Sequence, residues 1–441
     1  MTLFKLGKTR VPHRKNTAGM PAVRMTPPKS VLIPTSQNIG APSVPVVKAG
    51  DEVFVGTLIA EAGGYVGAPI HSSVSGTVKK IDTFLLPSGK SCPAIFIESD
   101  GKMTPDATIN PPALTDFDSF SEAVRASGLV GLGGAGFPTS VKIDAQKKGA
   151  INKIILNGAE CEPYITSDTR TMLDEAEWIV KAVGYLTRFI SADEVIIGIE
   201  KNKPECIKRL TELTADNPKV RVASLPKGYP QGAEKVLIYN TTGLVVPEGG
   251  LPSDVGCLVM NVTTAAFLAK YMETGMPLVE KCVTVDGTAI KNPMNVIAPI
   301  GTSIESVIEF TGGYEKEPAK VLCGGPMMGV AVYSTDYPVI KSTNAITVFD
   351  KSMAKKPKST ACIHCGRCVT ACPMGLNPTI YSNAVKIAAA AEKKAMLDEA
   401  KLNLCIECGS CSFVCPARRP LVENNRLAKA ELRAMAAAKK N

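Results

Sequence analysis

Fourteen cysteines stand in this 441-residue chain, and eight of them fall within its last eighty residues. Those eight form two segments of one pattern. The first is Cys362-Ile-His-Cys365-Gly-Arg-Cys368-Val-Thr-Ala-Cys372-Pro, the second Cys405-Ile-Glu-Cys408-Gly-Ser-Cys411-Ser-Phe-Val-Cys415-Pro. Each reads C-x2-C-x2-C-x3-C-P, the spacing of bacterial iron–sulfur ligands. Three thiolates separated by two residues can wrap one face of a cubane, with Gly366 and Gly409 letting backbone amides turn toward its sulfides. The fourth cysteine, redirected by its proline, serves the other cluster. One [4Fe–4S] cluster is therefore expected on Cys362, Cys365, Cys368 and Cys415, and a second on Cys405, Cys408, Cys411 and Cys372. A zinc ribbon needs only four ligands, usually in two C-x2-C pairs. Two copies of a four-cysteine motif point instead to one-electron transfer.

A second stretch with chemical potential begins at Ser127: SGLVGLGGAGFPTSVKI, with glycines at 131, 133, 134 and 136. A glycine row brings backbone close to a ligand, or merely makes a turn. It departs from the dinucleotide fingerprint, because no clear buried strand precedes it and no single acid follows at about 20 residues. An acidic loop follows instead, running from Asn157 through Ala159, Glu160 and Glu162 to Asp168 at the end of a predicted strand. Open α/β sheets bind ligands at such strand ends. Asp168 reads equally as a helix cap. A third piece, Lys227-Gly-Tyr229-Pro-Gln-Gly232-Ala-Glu234-Lys, joins a glycine turn, an aromatic and an acid at the start of a helix.

The elements that must position these pieces divide the chain. Residues 1–28 are a polar, basic, proline-containing arm. Residues 29–100 alternate apolar and polar positions between Gly and Pro turns, as short strands do. They resemble the two halves of a biotinyl/lipoyl-type β domain. The hairpin tip Ala68-Pro-Ile-His71-Ser-Ser73 holds no lysine to modify, which predicts a structural or docking copy with His71 as a surface or interface residue. Residues 115–250 alternate helix and strand, with strands at Ile151–Glu160, EVIIGIE and VRVASLP and helices at DEAEWIVKAVGYLTRFI and AEKVLIYNTTG. That order predicts a mainly parallel sheet. Residues 251–342 are β-rich, 343–358 form a basic linker, and 359–441 hold the cysteines. Between the motifs, VKIAAAAEKKAMLDEAKLNL reads as helix.

Composition sets limits. The chain is 45% hydrophobic and 21% charged with a formal net charge of +9, the balance of a globular protein. No apolar run reaches the roughly 18 residues of a membrane span, and no signal sequence is evident, so a cytoplasmic protein is expected. Three histidines argue against a His-rich metal site, and aromatics at 5% argue against nucleic-acid binding.

The stretches GLGGAGFPTSVK, NGAECEPY and YPQGAEK, followed by two ferredoxin motifs, resemble the RnfC family over about residues 29–435. That family is the NAD-reactive subunit of the membrane Rnf complex, a ferredoxin:NAD oxidoreductase. The first two stretches also resemble the FMN- and NADH-binding subunit of respiratory complex I. The resemblance implies a multidomain α/β and α+β protein: a lipoyl-like β sandwich, a Rossmann-like FMN/NAD domain, a β-grasp (SLBB) domain and an α-helical two-cluster ferredoxin domain. It implies that Gly131, Gly133, Gly134, Gly136 and Phe137 approach FMN, with Lys142 near an anionic group. Asn157, Glu160 and Glu162 would contact flavin or dinucleotide, although Ala159 replaces an acidic residue of the relative. Tyr229, Gly232 and Glu234 would line the dinucleotide side.

The implied chemistry is hydride exchange between NAD(H) and FMN, with single electrons passing between FMN and the clusters. NAD(H) is expected over NADP(H), since carboxylates accept from a ribose 2′-hydroxyl but repel a 2′-phosphate. The implied partners are membrane subunits and a ferredoxin-like subunit, with ferredoxin acting indirectly, at the cytoplasmic face of the membrane. A soluble NADH-oxidising relative and a non-catalytic iron–sulfur scaffold are the alternative readings. Family members commonly carry a Gly-Gly-Val/Ile-His-Pro segment near the start. Here the arm reads Leu-Gly-Lys-Thr-Arg-Val-Pro-His13-Arg-Lys15, a departure at a segment that could dock partner subunits.

Overall fold

The computed structural model describes residues 7–149, 151–355 and 358–438. Four parallel strands lie in the order Val220–Leu225, Glu194–Glu200, Lys153–Gly158, Cys257–Asn261. In chain order this is 3-2-1-4, one half of a doubly wound sheet. Ile154, Ile155, Ile196 and Ile197 are fully buried because helices cover both faces. The helix Val262–Thr274 packs on Ala176–Phe189 and belongs to the same layer. This sheet therefore runs past residue 250, the boundary expected from the sequence. A five-residue apolar run carries no sign of which sheet it will join. The helix expected at Asp174–Ile190 runs Ala176–Phe189, and a separate helix, Ser167–Asp174, precedes it across a break at Glu175.

The lipoyl-like region pairs Ser30–Pro34, Ser91–Ser99, Gly76–Leu85 and Glu52–Val53 antiparallel. A three-stranded sheet of Val44–Pro45, Leu58–Glu61 and Ile70–His71 packs over it. Val31, Ile33, Ile59, Ile70, Ile95 and Ile97 fill the space between. The hairpin tip is not free: Ala68 joins the core of the parallel-sheet domain, and Ser73 Oγ donates to Ile300 O.

The β-grasp sheet has the order Val23–Arg24, Met294–Pro299, Glu280–Asp286, Ala345–Asp350, Pro318–Cys323, Val330–Ala331. Two of its strands lie where none was expected. Ala345–Asp350, buried at every position, is an inner strand inside the expected linker 343–358. Val23–Arg24, within the expected arm, is an edge strand of this sheet. Both segments are short, and only their partners make them strands.

The rest of the arm is threaded through the molecule. Thr9 and Tyr229 exchange backbone bonds of 2.9 and 3.0 Å, and Tyr164 N donates to His13 O at 3.0 Å. Lys15 Nζ donates to Glu160 O and Glu162 O at 2.8 and 2.9 Å, and also to Ile165 O. Around the cysteines, the helix expected from Val385 to Leu404 starts only at Ala390, after Pro378–Ala384 has ended. The break lets both pieces fold back so that Tyr381, Ala384, Leu397 and Leu402 share one core, with Tyr381 Oη donating to Ala400 O at 2.6 Å. Packing outweighs alanine's propensity here.

Candidate functional site

Strand order reverses between Lys153–Gly158 and Cys257–Asn261, and ligands of open α/β sheets bind outside the carboxyl ends of strands at such a point. Asn157 and Asn261 stand opposite each other in register there. The glycine loop lies over them. It leaves the helix Phe117–Ala126, whose N-cap Asp116 accepts from Ser119 N at 2.8 Å. Gly131 N donates to Phe137 O at 2.8 Å and Gly136 N to Gly131 O at 3.1 Å, closing the loop on itself. Gly134 has φ +115° and Gly136 φ +64°, backbone that side-chain-bearing residues resist. A Cβ at Gly133 would stand 3.0 Å from Asn261 Nδ2. Leu132 N donates to Thr264 Oγ1 at 2.9 Å. Gly133, Gly134 and Ala135 remain exposed, so the loop offers bare backbone to solvent above the crevice.

The third motif meets the acidic loop. Asn157 Nδ2 donates to Gly232 O at 2.9 Å, and Gly232 N to Cys161 Sγ at 3.4 Å. Gln231 is buried with neither amide atom bonded. Lys142 is brought to Glu234, Nζ to Oε1 2.7 Å, and also donates to Val259 O at 3.2 Å. The anionic group beside Lys142 is thus this chain's own carboxylate.

The acids depart from expectation. Glu160 lies at φ +44° with its side chain 2% exposed. Its carboxylate accepts from Asp168 N at 2.7 Å, Thr169 N at 3.3 Å and Thr169 Oγ1, so it caps the helix Ser167–Asp174. Asp168, which the sequence offers as that cap, instead accepts from Asn261 Nδ2 at 2.8 Å and Thr263 Oγ1 at 2.7 Å. Glu162 Oε1 accepts from Met327 N at 2.6 Å and Met328 N at 3.1 Å, tying the acidic loop to the β-grasp domain. Burial pushes the Glu162 carboxyl above its usual range, against the pull of those two amides. Both Glu160 oxygens and Glu162 Oε1 are therefore engaged by this chain's own donors.

The cysteines gather as the motif predicts. One cavity is lined by Cys362, Cys365, Cys368 and Cys415, the other by Cys372, Cys405, Cys408 and Cys411. The two motifs repeat one backbone path. His364 and Glu407 have φ +54° and +55°, and Gly366 and Gly409 have φ +73° and +78°. His364 N points to Cys362 Sγ and Glu407 N to Cys405 Sγ, each at 3.4 Å. Among the described residues no three His, Cys, Asp or Glu side chains are grouped to ligate a single ion. A tetrahedral zinc would hold its sulfurs about 3.8 Å apart. The thiols surround a space instead, which fits a cubane.

The second motif abuts the parallel-sheet domain. Tyr229 Oη donates to Cys408 O at 2.7 Å, and Val11, Cys161, Tyr229 and Cys408 share an apolar contact with Met327 and Ile406. The first motif faces outward, with Cys365 and Ile363 exposed. Lys15, Gln231, Asn261, Lys281 and Lys341 all touch the ligand loops, and sequence reasoning missed them. Only Asn261 carried a signal, as an Asn cap before Val-Thr-Thr.

A crevice at a topological switch point beside two four-thiol cavities defines a flavin and iron–sulfur electron-transfer protein. Residues 124–270 match the Nuo51 FMN-binding domain, 3–102 the RnfC barrel sandwich hybrid domain, 282–331 the SLBB domain and 361–418 the 4Fe-4S dicluster domain. The chain is 43% identical to a subunit of the Na(+)-translocating ferredoxin:NAD(+) oxidoreductase complex of Acetobacterium woodii, over 84% of this chain and 85% of that one. It is 42% identical to a subunit of the proton-translocating ferredoxin:NAD(+) oxidoreductase complex of Clostridium ljungdahlii, over 84% and 81%. It is 38% identical to a subunit of the ion-translocating oxidoreductase complex of Rhodobacter capsulatus, over 83% and 72%. An NAD+-reducing [NiFe]-hydrogenase in the air-oxidized state shares the fold at TM-score 0.51 and 19% identity, over 70% of this chain and 60% of that one. The chain belongs to the RnfC family. FMN and two [4Fe–4S] clusters are its cofactors. The bare loop backbone and the unbonded Gln231 amide fit a flavin, as the eight thiols fit two clusters.

Proposed function

We propose that this chain is the NAD-reactive subunit of an Rnf-type ion-translocating complex, exchanging a hydride between NAD(H) and FMN and single electrons between FMN and two [4Fe–4S] clusters. Flavin supplies the chemistry that joins a two-electron donor to one-electron carriers. The residues of this chain do the rest. Gly131–Phe137, Asn157 and Asn261 hold the flavin over the switch point, and the closed loop presents backbone amides that need no reorganisation. Cys405, Cys408, Cys411 and Cys372 ligate the cluster nearer the flavin, while Cys362, Cys365, Cys368 and Cys415 ligate the outer one. The observation that carries this reading is the Tyr229 bond to Cys408 O, which makes the flavin domain and one cluster motif continuous.

The preference for NAD(H) now rests on family membership, since Glu160 and Glu162 face inward. No helix among the described residues is long and apolar enough to cross a membrane. Attachment to the cytoplasmic face through membrane subunits, with a ferredoxin-like subunit relaying electrons from ferredoxin, completes the proposal. The test is an anaerobic absorption spectrum with acid extraction, followed by dye reduction with each nicotinamide. About eight irons, one FMN and a preference for NADH are expected. Bound zinc without iron, protein that takes up no FMN, or faster reduction by NADPH would each overturn the part it addresses.

A further inference from the structure

Four lysines, three buried and Lys15 partly so, lie against the two ligand loops, and each donates to main-chain carbonyls. Beneath the acidic loop, Lys15 has Glu160 at 3.9 Å and Lys203 has Glu200 at 3.6 Å. Beneath the glycine loop the pattern changes. Lys281 Nζ donates to Leu132 O at 2.8 Å, and Lys341 Nζ donates to Gly128 O at 2.7 Å and to Pro69 O. Lys281 is 3% exposed and Lys341 0%. Neither forms an ion pair among the described residues. Asp168 and Glu175 are the acids whose charge reaches Lys281, and the Asp168 oxygens already accept from Asn261 and Thr263. Beside Lys341 stands His71, buried with Nδ1 unbonded and held down to about 3 by burial and by that lysine.

Two buried ammonium groups without counter-charges are costly, and such charges are normally paired. Two of their three carbonyl partners, Gly128 O and Leu132 O, lie in the segment that leads into the exposed Gly133–Ala135 backbone. Burial pushes Lys281 down to about 8 and Lys341 down to about 7, so an anion on the loop would favour the charged form of both. Both residues come from outside the region matching the FMN-binding family, which ends at 270.

We propose that Lys281 and Lys341 are positioning residues that form a positive floor under the glycine loop, holding an anionic group of the flavin above it. That group is either the phosphate monoester or the reduced, negatively charged ring. The inference rests on the flavin reading above. It gives the hairpin tip a role in place of a modified lysine, since Pro69 O helps to hold Lys341 in position.

Lys281→Gln and Lys341→Gln keep an N–H donor and remove the charge, which separates electrostatics from clamping. The full-length variants are made with clusters intact, and FMN and riboflavin affinities and the flavin midpoint potential are measured. A phosphate above the floor predicts at least tenfold weaker FMN binding with riboflavin affinity unchanged. A reduced ring there predicts a lower midpoint potential with oxidised FMN affinity retained. A purely structural role would lower melting temperature alone, and unchanged affinity and potential in folded variants overturn the proposal. Should Lys341→Gln not fold, Lys281→Gln decides. Wild-type protein supplies a control free of folding defects. If it binds FMN no better than riboflavin and its potential equals that of free flavin, the floor does not exist. Wild-type protein that binds no flavin sinks the parent reading and this one together.

Discussion

Replacing Glu162 separates a seam residue from a ligand residue. Its Oε1 accepts two main-chain amides, Met327 N and Met328 N, across the junction of the parallel-sheet and β-grasp domains. A hydrogen bond to a charged group contributes about 1.5–3 kcal/mol, and an orphaned buried donor costs a similar amount. Met328 is exposed, so water can replace part of its bond. Glu162→Ala should therefore cost about 2–4 kcal/mol, and Glu162→Gln, which keeps an acceptor oxygen, about 1 kcal/mol. In a domain of this size each kcal/mol moves the melting temperature by about 2–4 °C.

The same loop packs on the second cysteine motif, where a Cβ at Gly409 would stand 2.7 Å from Met327 O. Loosening it should slow reduction of the clusters by NADH. The assay is a melting curve, stopped-flow cluster bleaching and the NADH Michaelis constant in dye reduction. Lower melting temperature and slower bleaching with an unchanged Michaelis constant are expected. A raised Michaelis constant at unchanged melting temperature would refute the seam and restore the glutamate as a dinucleotide ligand.

Cys365→Ser should halve the iron content, from about eight to about four per chain, and leave FMN bound; undiminished iron would remove Cys365 from the ligands. Gly134→Val forces a β-branched residue to φ +115° on the open face of the loop, and should give protein with clusters but no flavin. Full flavin occupancy in that folded variant would reduce the glycines to a turn. Asp286 is fully buried, accepting from Asn16 Nδ2 at 3.2 Å, and burial pushes its carboxyl up from 3.8 to about 6. Its contribution to stability is therefore complete below about pH 3.8 and lost as pH rises through about 6. That rise is worth up to about 3 kcal/mol. Asp286→Asn should be more stable than wild type at pH 8, and the gap should fall to about half by pH 5 and close near pH 4; a gap independent of pH would refute this.

Local chemistry was legible in the sequence because it is set by spacing along the chain. The two C-x2-C-x2-C-x3-C-P motifs single out eight cysteines as candidate ligands, and the structure gathers them, with the fourth cysteine exchanged, around two cavities. The run of glycines, the βαβ order and the missing lysine at the lipoyl-like tip were readable for the same reason. What a carboxylate or a lysine does was not. Glu160 and Glu162 look alike two residues apart, yet one caps a helix while the other joins two domains. That difference depends on the Ser167 helix and the Met327 loop, which the chain brings in from different distances.

The arm looked detachable because a basic, proline-containing segment has no apolar periodicity. Its order comes from Lys15 reaching three carbonyls that exist as a set only after the acidic loop has folded. Lys281 and Lys341 are ordinary lysines in the sequence. Only the docking of the β-grasp domain against the glycine loop strips them of water and fixes their charges beneath it. The partners of Lys15, Glu162, Lys281 and Lys341 lie more than a hundred residues away along the chain, and those meetings are decided by tertiary packing alone.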